Sequence, residues 1–180
     1  MVIPTTNGET RQGQEGYRGV LAEMPGGGGS FRDLQEDVLE AAWDEEGRHL
    51  AVITVDKGFK SRLEYPAGQV LHSSAGEIKL LRMGPGNRMA LVEGTGDRTD
   101  ITVFPPQGQP KILFSKAEDV FAATLTGLAW HPGGKELWFS ENQGSQTAFW
   151  SLSMKGGRRL VWRGPGEVRL LDIAPDGRVL

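Results

Sequence analysis

Trp130-His131-Pro132-Gly133-Gly134-Lys135-Glu136-Leu137 is the stretch whose reading decides the fold. A large apolar residue enters, Pro and Gly turn the chain, a cation follows, and an apolar residue leaves. Three other segments align with it without gaps. They are Trp43-Asp44-Glu45-Glu46-Gly47-Arg48-His49-Leu50, Met83-Gly84-Pro85-Gly86-Asn87-Arg88-Met89-Ala90 and Ile173-Ala174-Pro175-Asp176-Gly177-Arg178-Val179-Leu180. The anchors Gly47, Asn87, Gly134 and Gly177 stand 40, 47 and 43 residues apart. Each anchor must tolerate a positive φ. Gly does so freely, and Asn is the next best residue. Pro85, Pro132 and Pro175 stand two residues before three of the anchors and pre-set φ for a turn. Each segment therefore predicts a hairpin with both strands in the core.

Between the anchors lie further short apolar runs. Leu50–Val55, Ser61–Tyr65 and Gln69–His72 follow Gly47, with Pro66-Ala67-Gly68 as a turn. Met89–Val92, Asp100–Phe104 and Pro110–Phe114 follow Asn87. Glu136–Phe139, Thr147–Ser153 and Arg158–Trp162 follow Gly134. About four strands per period of about 43 residues is the sequence signature of a propeller blade. The expectation is an all-β propeller of four-stranded blades. It holds a tail over 1–17, a half blade over 18–36, blades over 37–75, 76–116 and 121–164, and a half blade over 166–180. The 1–17 tail reads as disordered. In the first half blade, Arg18–Met24 and Ser30–Leu34 are joined by Gly26–Gly29. Val38–Trp43 is the next entering strand, and the stretch between reads as loop. In the last half blade, Val168–Ile173 and Val179-Leu180 are the strands. Such a set closes as four blades, stays partial, or is completed by a homodimer through its open edges, since unpaired edges invite assembly.

Composition narrows the function classes. The chain has 180 residues, 26 Gly, 10 Pro, no Cys and a net charge of −3. No basic excess steers it onto nucleic acid. Without Cys there are no thiolate nucleophiles or metal sites. His49, His72 and His131 are too dispersed for a metal centre, and His131 reads as a solvated turn residue. No apolar run reaches the roughly 18 residues of a membrane helix. Met1–Thr6 lacks the basic and apolar regions of a signal peptide, so a cytoplasmic location is expected. No kinase loop, phosphate loop or Gly-x-Ser-x-Gly elbow is present, and no cofactor or catalytic residue is expected. Asp44-Glu45-Glu46 reads as a polar turn. Trp43, Trp130, Trp138, Trp150 and Trp162 read as core, because no basic residues interleave with them as a stacking groove requires.

At the hairpins the sequence resembles the TolB-type, WD-like propeller repeat of bacteria, with its Pro-Asp-Gly-Lys/Arg signature. Pro175-Asp176-Gly177-Arg178 matches fully and Pro132-Gly133-Gly134-Lys135 nearly so. Gly19-Val20-Leu21-Ala22, Glu36–Trp43, Arg62–Pro66 and Leu128–Pro132 are similar to the propeller region that follows the kinase domain in bacterial serine/threonine protein kinases. That resemblance implies a non-catalytic sensor or interaction module for a protein or peptide. The alternative is the gating propeller of a serine hydrolase lacking its catalytic domain. The loops Asp56–Phe59, Gly94–Arg98 and Glu141–Ser145 follow the second strand of each blade and are expected on one face. Lys57, Arg98, Glu141 and Asn142 are the candidate binding residues there.

Overall fold

The computed structural model describes residues 19–24, 26–56, 58, 60–117 and 124–180. The 1–17 tail, Lys57 and Phe59 lie outside the described residues. The described chain is all strand and turn, arranged as three sheets in chain order. It divides into two compact units, Met1–Glu77 and Ile78–Leu180.

The first unit holds one five-stranded sheet, β1(Gly19–Glu23), β2(Arg32–Trp43), β3(Leu50–Val55), β4(Ser61–Glu64) and β5(Val70–Ser73), adjacent in that order. Leu21, Val38, Leu50 and Val52 form its apolar cluster. Here the sequence reading needs correction. Ser30–Leu34 and Val38–Trp43 are not separate strands with a loop between. They lie on one continuous strand, β2. Its first half pairs with β1 (Glu23 opposite Arg32, Gly19 opposite Val38) and its second half with β3 (Val38 opposite Thr54, Trp43 opposite Leu50). Asp37, with φ at 57°, and a register shift between Val38 and Glu40 mark the change of partner. Bulges of this kind absorb a bend without ending a strand.

The second unit holds two four-stranded sheets. One is β6(Glu77–Gly84), β7(Arg88–Gly94), β8(Arg98–Phe104), β9(Lys111–Ala117). The other is β10(Thr124–Trp130), β11(Glu136–Gln143), β12(Gln146–Ser153), β13(Arg158–Pro165). Leu80, Ala90, Val92, Ile101 and Val103 of one sheet share a core with Leu128, Trp130, Leu137, Phe139 and Leu152 of the other. The inward residues alternate along each strand, as the two-residue period of a strand requires. The segment after β13 is less regular than expected. Ile173 and Val179 make an isolated bridge. The Leu171 amide donates to the Leu180 carbonyl at 2.8 Å, and the Leu180 amide to the Asp172 carbonyl at 2.9 Å. Leu170 and Ile173 are buried against Ala129 and Phe149 on the other face of the β10–β13 sheet.

All four anchors have positive φ: 66° at Gly47, 56° at Asn87, 63° at Gly134 and 85° at Gly177. In three copies the anchor amide donates to the carbonyl three residues earlier, that of Asp44, His131 or Ala174. Asp44 is more than a polar turn residue. Its buried carboxylate accepts the Arg48 and His49 amides at 2.7 and 3.1 Å and meets His49 Nδ1 at 2.9 Å. Burial alone would raise its pKa. The amide and imidazole contacts outweigh that and hold it below the ordinary range.

The tryptophans divide. Trp130 is buried at 6% exposure, whereas Trp43 is 49% and Trp162 41% exposed. Trp162 also stands among Arg158, Arg159 and Arg163, so basic residues do interleave with an aromatic on β13. The core assignment of all five is therefore corrected for Trp43 and Trp162.

Candidate binding cleft

Within the second unit, Lys79 and Leu80 of β6, Leu125 and Thr126 of β10, Asn142 of β11 and the segment Glu167–Arg169 line a cleft of about 390 Å3. Topology explains the gathering. β10 begins where antiparallel β11 ends, with Thr124 opposite Asn142. The cleft thus lies at the end of the β10–β13 sheet that carries the turn between the second and third strands. Two cations, Lys79 and Arg169, and one carboxylate, Glu167, share it with an amide and three apolar side chains.

Hydroxyl groups hold its floor. The Thr147 hydroxyl lies 2.8 Å from Asn142 Oδ1 and 2.7 Å from the Gly166 carbonyl, and it accepts the Val168 amide at 3.0 Å. The buried Ser140 hydroxyl accepts the Leu170 amide at 3.1 Å and lies 2.9 Å from Thr126 Oγ1. Gly127 has no side chain to spare here: a Cβ would collide with the Leu170 backbone and Ser140 Oγ. Residues 166–170 are therefore docked by side-chain hydroxyls, without a regular ladder to β10.

The residues expected from sequence fare differently. Lys57 lies outside the described residues. Asn142 lines the cleft. Glu141 and Asn142 belong to strand β11, not to a loop, because β11 runs on to Gln143. As neighbours on a strand they point to opposite faces. Glu141 turns toward β9, is 2% exposed, and accepts from Lys116 Nζ (2.8 Å), Trp150 Nε1 (3.0 Å) and Gln143 Nε2 (2.8 Å). Arg98 is the first residue of β8, and its Nε donates to buried Asp100 at 3.0 Å, which also accepts from Ser115 Oγ at 2.5 Å. Of the described three, only Asn142 is in the cleft. Lys79, Thr126, Glu167 and Arg169 were missed, since no sequence signal brings first strands and the post-β13 segment together. His131 is a turn residue, its Nδ1 accepting the Gly133 amide at 3.4 Å.

No protein-family model matches the chain, and no curated protein matches it. Solved structures do. The β-propeller domain of the Trilobed protease from Pyrococcus furiosus superposes with a TM-score of 0.58 at 10% identity, over 89% of this chain and 52% of that one. Hydrazine synthase of Kuenenia stuttgartiensis gives 0.57 at 12%, over 88% and 60%. The Dos1 propeller gives 0.50 at 13%, over 89% and 47%. This chain thus spans about half to three fifths of their length. At such identities only the fold carries over, and with three consecutive antiparallel sheets it is the fold of a β-propeller.

Proposed function

We propose that the chain is a non-catalytic interaction or sensor module that binds a protein or peptide in the cleft around Asn142. The observation that carries this reading is the cleft's mixed chemistry. Opposite charges and an amide stand beside Leu80, Leu125 and Val168, which suits a peptide's backbone and alternating side chains. The resemblance of Leu128–Pro132 and Glu36–Trp43 to kinase-linked bacterial propellers supports a signalling context. Panning a random peptide library against the full chain tests it. Selected peptides should lose about tenfold or more in affinity with Arg169→Glu or Asn142→Ala, the scale of a hot-spot contact. Peptides that bind equally well to both variants would place binding elsewhere.

A second reading is the gating propeller of a serine hydrolase. The likeness to the β-propeller domain of the Trilobed protease favours it. The genes flanking the coding sequence separate the two: a kinase frame upstream supports the first, a hydrolase frame downstream the second.

A further inference from the structure

The two outermost strands of the second unit are basic. β9 and β13 end their sheets and together carry Lys111, Lys116, Arg158, Arg159 and Arg163, with no carboxylate. The whole chain, by contrast, has 23 carboxylates against 20 cations. Two of the five cations are ion-paired, Lys116 with buried Glu141 and Arg159 with Glu136. Arg163 reaches Gln143 Oε1 at 3.5 Å.

Arg158 differs from these. It stands opposite Leu152, so its side chain leaves the sheet on the face that shares a core with β6–β9. There the guanidinium lies 4.1 Å from the ring centroid of Trp150 and 5.2 Å from that of Phe114 on β9. Both rings are partly buried and fixed by other contacts. The Trp150 indole N–H donates to Glu141, and Phe114 packs on Phe139 at 5.2 Å between centroids. Arg158 itself is exposed, and no group among the described residues accepts a hydrogen bond from it. Stacking thus fixes the plane of the guanidinium and leaves its N–H edge open. A fork held in this way gives up little further freedom when a ligand binds. Lys111, three residues before Phe114, crosses to the same sheet and spends one of its three N–H groups on the Met154 carbonyl at 3.2 Å. It brings a second cation to the same edge.

We propose that Arg158 anchors a binding site for a phosphorylated side chain of an extended peptide. A phosphate monoester carries close to two negative charges at neutral pH and three acceptor oxygens. Two oxygens fit the guanidinium fork, and the remaining one and the second charge suit an ammonium group such as that of Lys111. A carboxylate fills the fork and leaves nothing for the second cation. β13 supplies the rest: as the last strand of its sheet it can pair an extended chain along its outer edge. A nucleic acid fits less well, because Arg158 already covers the ring on which a base would stack, and a net charge of −3 opposes a polyanion. None of these residues lines the cleft around Asn142, so the site is separate from it.

Panning the full chain with random peptides that share one fixed phosphoserine tests this, beside the same library with serine or glutamate at that place. The phosphoserine library should yield binders and the other two should not. In fluorescence anisotropy, the selected phosphopeptides should lose about tenfold or more in affinity with Arg158→Gln. Arg158→Lys, which keeps the charge without the fork, should lose most of that affinity too. The position is exposed, and both variants should keep the circular dichroism spectrum of the parent. Asn142→Ala should leave the affinity unchanged, which distinguishes this site from the cleft. A phosphoserine library that yields no binders overturns the proposal, as does equal retention of the serine or glutamate library. Phosphopeptides that bind Arg158→Gln as tightly as the parent overturn it as well, and so does a single-stranded oligonucleotide that binds more tightly than they do.

Discussion

The indole of Trp130 lies against the Cα of Gly84, one sheet away, and its Nε1–H donates to the Arg82 carbonyl at 3.2 Å. The Arg88 guanidinium stands 4.9 Å from the ring centroid, so the tryptophan is held between a bare backbone and a cation. This joins the hairpin of one repeat to the entering strand of the next. A Cβ on residue 84 would strike the indole. Gly84→Ala should therefore destabilise the second unit by about 1–3 kcal/mol, the usual cost of overpacking. Denaturant unfolding followed by tryptophan fluorescence measures it. Gly86→Ala, where a Cβ meets open space but φ is 69°, isolates the backbone cost from the steric one.

The anchors offer a cleaner backbone test. Asn87 is the one anchor that is not glycine, and its φ is 56°. An alanine in the left-handed region costs about 1–2 kcal/mol. Gly47→Ala, where no neighbouring atom obstructs a Cβ, should lose about that much, so any loss comes from φ alone. Asn87→Gly should lie within about 1 kcal/mol of the parent, because Asn already tolerates this region better than other side chains. Equal losses for the two variants would count against the shared turn geometry.

Docking of residues 166–170 depends on two hydroxyls. Ser140→Ala leaves the buried Leu170 amide without its acceptor, an omission that costs about 1–3 kcal/mol. Thr147→Val does the same to the Val168 amide and frees Asn142 Oδ1. Amide hydrogen exchange at Val168 and Leu170 should quicken in these variants while Leu137 and Phe139, deep in the shared core, stay protected. Gly127→Ala should release the whole segment, because Leu170 must move before a Cβ fits. Unchanged exchange at Leu170 in Ser140→Ala would mean that apolar contacts alone hold it.

The repeat was legible because its signals are local. A positive φ demands Gly or Asn, proline pre-sets the turn, and both are visible one residue at a time. What was not legible depends on parity or on distant partners. Glu141 and Asn142 look alike in sequence, yet the two-residue period of β11 sends one to Lys116 and the other to the cleft. Gln35-Glu36-Asp37 looks like a loop between strands, and register shifts around the positive φ of Asp37 let it continue as β2. Trp43 and Trp130 hold the same place in the repeat. Only Trp130 is buried, because Gly84 is there to receive it. Nothing near either residue in sequence reveals that.

Glu136 gives a pH-dependent test. Its carboxylate accepts the Ser151 hydroxyl at 2.7 Å and the Trp138 indole N–H at 3.1 Å, with Arg159 Nη2 at 3.6 Å. The Ser151 hydrogen bond, then that of Trp138, with help from the Arg159 charge, outweigh burial and hold its pKa below the ordinary 4.5. A carboxylate with a depressed folded-state pKa contributes stability above its unfolded pKa and loses it as pH falls through the folded one. Ser151→Ala removes the largest of these contributions. The variant should be less stable than the parent at neutral pH, and the gap should narrow as pH falls below 4.5 and Glu136 takes up its proton in both proteins. Urea unfolding of parent and variant, from neutral pH down to about pH 3, follows this gap directly. A gap that stays constant across the range would show that the Ser151 hydroxyl does not act through the ionised carboxylate.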